Sequence, residues 1–184
     1  MKITSVHTRA ALTGAVVAAL LSMSACGDDT VGADAPTERG DTVTVEVSAT
    51  DFGFDLPAQV APGTVFRLVN KSTTELHELV AVRLADDDDR PIDDIVHHDV
   101  EALLTSGPPA MVLLAAPGGA DQIVAVGDGT LTEPGRYAIL CMIPTGVDPA
   151  EYLAAAAESQ GGPPDVAGGA PHIAHGIYAE VVVG

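Results

Sequence analysis

The chain is short of cysteine. Its 184 residues contain two, and one of these, Cys26, closes a leader-like N-terminal stretch, so the mature protein keeps a single free thiol, Cys141. A disulfide framework is thereby excluded, and the weight of any thiol chemistry falls on one residue. Basic residues are scarce as well. Eight Lys and Arg stand against 26 Asp and Glu, and with Lys2 and Arg9 lost in the leader the remainder carries a net charge of about −20. Nucleic acid and anionic lipid surfaces are poor partners for such a chain. The acidity serves solubility at a crowded surface, or, in the sharper reading, attracts a cationic partner or a metal ion. Hydrolase and metalloprotease signatures are also missing: there is no Gly-x-Ser-x-Gly and no His-Glu-x-x-His. No internal repeat is present.

What is there begins with the leader. Lys2 and Arg9 give a positive start, Ala10 to Leu21 is almost wholly apolar, and Ser22-Met23-Ser24-Ala25-Cys26 ends in small residues before a cysteine. The apolar run is too short for a comfortable membrane span and has the form of a secretory signal. It resembles the bacterial lipobox, which implies cleavage before Cys26 and lipid on its sulfur. The protein is then extracytoplasmic and anchored to the cell membrane; a plain secretory signal with Cys26 free or paired is the alternative. Residues 26–41, poor in large apolar side chains, read as a flexible tether, leaving 42–184 as one domain with a real core.

The domain reads as β. Thr42 to Ser48 alternates Val43, Val45 and Val47 with polar residues, the period-2 signature of a strand with one buried face. Pro62-Gly63 makes a turn before Val65 to Val69, and Asn70-Lys71-Ser72 closes that strand. Leu76 to Leu84, Gln122 to Val126, Arg136 to Cys141 and Ile177 to Val183 continue the series between Gly, Pro and Asp punctuation. Short strands of this kind predict a sandwich or closed barrel.

Two segments break the pattern. Residues 85–110 open on four aspartates and carry Ile95, Val96, Val100, Leu103 and Leu104 at helical spacing, predicting one short amphipathic helix over Ile92 to Leu104 within an acidic insertion. Residues 147–158 predict a second helix. Asp148 suits its cap, Pro149 its first position and Glu151 a capping box. The Gly- and Pro-rich remainder to residue 170 is loop.

Alternation along Arg136 to Cys141 places Tyr137, Ile139 and Cys141 on one face, with the thiol leaving the core at the strand's end. His77 opens a strand, and His172 and His175 precede the last one. One thiolate and two imidazoles delivered from separate strand ends form the trigonal set that suits copper, with a weak fourth ligand optional. His97-His98, among Asp93, Asp94 and Asp99, is a solvated helix face in the plainer reading and a second, oxygen-rich metal patch in the other.

In order along the chain, Asn70, His77-Glu78-Leu79-Val80, Gly135-Arg136-Tyr137 with Cys141-Met142-Ile143-Pro144, and Pro171-His172 before a closing strand resemble the cupredoxins, the blue-copper-like domains, especially members of actinobacterial lipoprotein type. The resemblance spans roughly residues 42–184. It implies an all-β Greek-key sandwich or barrel with short helical insertions, and copper held by His77, Cys141 and His172. Asn70 would support the cysteine loop by hydrogen bonding. His175 is the alternative second imidazole. Two departures stand out: residues 142–171 separate the thiol from the second imidazole, and Ile177 stands at the axial place where relatives supply a thioether. An aliphatic side chain cannot ligate. Added loop length, by contrast, costs little entropy.

The function that follows is a surface-anchored copper protein that transfers electrons or holds and delivers copper, with a redox or copper-exchange protein as its partner. A cupredoxin-like binding module that has lost its metal is the alternative, for which Ile177 speaks. An enzyme would need further copper sites with His-x-His pairs, and the chain has none.

Overall fold

The structure, a computed structural model, describes residues 43–159 and 162–184. The leader, Cys26 and the tether lie outside the described residues. Strand β1 (Thr44–Thr50) forms where the Val alternation predicts it, and Val47 and Ala49 turn inward while Glu46 and Thr50 face water. It pairs in parallel with β4 (Thr64–Asn70), whose Phe66 and Leu68 alternate with Arg67. With β2 (Gly53–Asp55) and β8 (Thr130–Leu131) they make a four-stranded sheet in the order β2-β1-β4-β8.

The second sheet has six strands. Its order is β3-β10-β9-β5-β6-β7, from β3 (Gln59–Val60), β5 (His77–Arg83), β6 (Met111–Ala115), β7 (Ile123–Val126), β9 (Gly135–Leu140) and β10 (Tyr178–Val183). The chain passes repeatedly from one sheet to the other, and β1 with β4 and β3 with β10 consequently run parallel. The result is the expected all-β sandwich. Val47, Phe66 and Leu68 of the first sheet meet Leu79, Leu113, Tyr137, Ile139 and Val181 of the second in one apolar core. Each such side chain contributes about 1.5–3 kcal/mol on burial.

Strand β5 is buried on both faces. Leu79 and Ala81 point into the core between the sheets. Val80 and Val82 point outward, where the acidic insertion covers them with Ile95, Val96 and Leu103. That insertion differs from the single helix expected over Ile92 to Leu104. It is two helices, α1 (Ile92–His98) and α2 (Val100–Thr105), broken at Asp99 with φ −136° and ψ 17°. At the break the Asp99 N–H closes α1 on the Ile95 carbonyl, and its carboxylate pairs with Arg90. Helix α3 (Pro149–Glu158) starts as expected, with the Asp148 carboxylate accepting the Glu151 N–H at 2.9 Å.

Candidate metal centre

Three elements end at one corner of the sandwich. Along β5 the inward parity that buries Leu79 and Ala81 also turns His77 inward, at the strand's first residue. Cys141 leaves the end of β9 with the parity of Tyr137 and Ile139, and its N–H donates to the Ile177 carbonyl at 3.1 Å. His172 opens a single 3-10 turn, His172–His175, that ends on Gly176. Gly176 has φ 92°, a conformation costly for a side-chain-bearing residue, and it lets the chain turn directly into β10.

The long excursion between the thiol and the second imidazole returns because it is stapled at its base. Pro144 bridges Pro171, the Thr145 N–H donates to the Ala170 carbonyl at 3.1 Å, and the His172 N–H donates to Ile143 at 2.9 Å. Helix α3 is thus carried as a closed loop. Its Tyr152 packs in the same apolar cluster as Cys141 and Ile177.

His77, Cys141 and His172 meet there, with potential ligand atoms all within 4.8 Å of one another. The Cys141 Sγ lies 3.2 Å from His172 Nδ1 and 3.9 Å from His77 Nδ1. A first-row metal bound at roughly 2.0–2.3 Å in a trigonal plane needs its donors roughly 3.5–3.7 Å apart, and both sulfur–nitrogen distances lie within about half an ångström of that. All three side chains are buried, at 0%, 0% and 3% exposure. His175 is exposed and stands outside the group.

Burial tunes the donors for neutrality. It lowers the pKa of His77, with the neighbouring His172 acting in the same direction, and it also lowers that of His172, so both imidazoles are held in the form that offers a lone pair. It pushes the Cys141 thiol far above its ordinary range, and the Glu78 carboxylate pushes it further; the Glu78 and Ile143 N–H groups oppose this. A thiolate therefore needs a cation here. A bound metal supplies one, since coordination deprotonates a thiol outright.

Behind the imidazoles stand two carboxylates. Asp51 Oδ1 is 3.5 Å from His77 Nε2, and Glu75 Oε2 is 3.4 Å from His172 Nε2. Both contacts are longer than a good hydrogen bond, and among the described residues His77 Nε2 has no hydrogen-bond partner. Carboxylates at this position orient metal-binding imidazoles by taking their outer N–H.

Asn70 differs from expectation. Its amide donates to the Glu75 and Ala115 carbonyls, both at 2.8 Å, and its Oδ1 accepts the Ser72 N–H. It therefore braces the turn that leads into His77, and not the cysteine loop, because the end of β4 lies beside β6 and that turn. Ile177 is fully buried in the same apolar cluster as Cys141, with Leu76 and Ile143. His97 turns to its own helix, its Nδ1 2.7 Å from the Asp93 carbonyl, and packs edge-on to Tyr178. Asp51 and Glu75 carry no signal in the sequence, and Glu78 enters it only within the motif His77-Glu78-Leu79-Val80, with no role assigned; its signal is a lone acid inside the apolar run His77 to Val82.

No protein-family model and no curated protein matches the chain. Among solved structures it is similar to a dithionite-reduced auracyanin from the photosynthetic bacterium Roseiflexus castenholzii, with TM-score 0.42 and 19% identity over 79% of this chain and 99% of that one. It is also similar to auracyanin A, a "blue" copper protein from the green thermophilic photosynthetic bacterium Chloroflexus aurantiacus, with TM-score 0.42 and 16% identity over 78% and 99% of the two chains. Auracyanin B gives TM-score 0.35 and 19% identity over 77% and 88%.

Proposed function

We propose that this is a cupredoxin-type copper protein, held outside the cytoplasm by lipid on Cys26, that passes single electrons and has no turnover of its own. The convergence of one buried thiol and two buried neutral imidazoles, His77, Cys141 and His172, carries this reading. Soft sulfur with two nitrogens in a trigonal set is the donor chemistry of copper electron-transfer sites. Copper would supply a one-electron couple at this corner.

The chain's own contribution is rigidity and dryness. His77 is set by β5, Cys141 by the end of β9, and His172 by the 3-10 turn whose N–H groups bond back to Ile143 and, through Ile173, to the Cys141 carbonyl at 2.8 Å. The Glu78 N–H lies 3.5 Å from the sulfur and favours its anionic form. Ile177 contributes packing without a donor. A weak axial donor tunes the potential of such sites, and its absence raises it.

Copper titration of the mature chain tests the assignment. One equivalent binds, His77→Ala and His172→Ala each weaken binding by more than about tenfold, and His175→Ala leaves it unchanged. Ile177→Met lowers the reduction potential. A damaging His175→Ala with a silent His172→Ala would reassign the second imidazole. Wild type binding no better than Cys141→Ser would leave the metal-free module as the function.

A further inference from the structure

The two segments that interrupt the strand pattern do more than cover the sheet. They wall a cavity of about 250 Å³ on its outer face. Val80 and Val82 of β5 form the floor, Leu104 of the acidic insertion one wall and Pro164 of the loop after α3 the other. At one end stand Glu78 and Tyr152. The volume suits a single ring: a cavity of roughly 150 Å³ already holds benzene.

Glu78 makes the cavity chemically specific. The strand parity that sends His77 to the metal corner sends Glu78 the other way, and the residue is 5% exposed. Its carboxylate accepts the Met142 N–H at 2.9 Å and the Tyr152 hydroxyl at 3.3 Å. A carboxylate offers about four acceptor positions, so two stay open. Among the described residues Glu78 forms no ion pair. Buried acids are ordinarily paired. Once ionised, this carboxylate lacks a counter-charge, and the chain's net charge of −18 attracts the cation that would supply it.

We propose that this cavity is a binding site for a compact organic cation, one apolar ring bearing an ammonium group, with the ring on Val80, Val82 and Leu104 and the ammonium on the Glu78 carboxylate. The site is independent of the metal centre in composition. It is joined to it through one residue, because the Glu78 N–H faces the Cys141 sulfur and its carboxylate holds the Met142 N–H. Neither the metal-corner donors nor the proposed electron transfer is needed for the cation to bind.

Calorimetric titration at pH 8 of the metal-free mature chain with benzylammonium, and with benzyl alcohol as its neutral counterpart, tests this whatever the fate of the copper reading. Benzylammonium binds at one equivalent and at least about tenfold tighter than the alcohol. Leu104→Trp, which fills the cavity away from the carboxylate, and Glu78→Gln, which keeps an acceptor for Met142, each weaken it at least about tenfold, with circular dichroism unchanged. No binding to wild type, equal affinity for the alcohol, or affinity unmoved by Leu104→Trp would overturn the proposal.

Discussion

Glu78 shows how one residue couples burial to pH. Burial pushes its carboxyl up to about 7 from an ordinary value of 4.5, against the opposing hydrogen bonds from Met142 and Tyr152. Between those two values the folded chain holds a proton that the unfolded chain has released, so folding stability falls as pH rises through the window. At 1.36 kcal/mol per unit the loss is roughly 3 kcal/mol, complete above the folded value. His77 and His172 act with the opposite sign. Their pKa values are lowered, so below about 6.5 the unfolded chain takes up protons that the folded chain refuses, and stability falls as pH drops. In metal-free protein Glu78→Gln therefore leaves the histidine contribution alone. Urea unfolding should show the variant gaining on wild type by roughly 3 kcal/mol between pH 4.5 and 8; a difference that stays flat with pH would contradict the burial argument.

At the scale of residues the inward turn of Cys141 and the place of His77 at a strand's start were legible in local sequence, whereas the choice of His172 over His175 came from the resemblance to the cupredoxins. The partners of Asn70, and the carboxylates of Asp51 and Glu75 behind the imidazoles, were not legible. Their places depend on how β4, β6 and the turns stack in three dimensions.

Among elements, β1 and β4 were readable because each keeps a wet face, so polar residues mark every second position. Strand β6 was not expected, since Met111 to Ala115 is buried on both faces and has no alternation to betray it. The break between α1 and α2 was hidden for another reason. Asp99 fits a helical pattern, and nothing in the local sequence marks the extended φ of −136° at which it ends α1. Helix α3 was fully signposted by Asp148 and Pro149. Asp148→Ala removes the acceptor of the Glu151 N–H and should cost about 1 kcal/mol, lowering Tm by roughly 3–5 °C. Copper binding should survive, as α3 supplies no donor; its loss in thermal and metal titrations would show that the excursion positions the site.

For the whole molecule, charge and anchoring set the context in which electrons would move. The proposed electron-transfer partner would be expected to offer a basic surface to so acidic a chain, and salt would then weaken the association. The proposed attachment would rest on Cys26, where a diacylated cysteine would hold and a single chain would bind only marginally. Cys26→Ser should move the protein from the membrane fraction to the medium or leave it as uncut precursor. Unchanged fractionation and mature mass would remove the anchor.

Copper on the Cys141 sulfur, at the corner between β5, β9 and the 3-10 turn, is what the proposed function stands on. The visible spectrum of the purified mature chain on addition of Cu(II) tests it most directly. An intense absorption toward the red end, saturating at one equivalent and absent from Cys141→Ser, is the result expected of a thiolate-bound copper. A colourless wild type, or the same faint spectrum in both proteins, would contradict it.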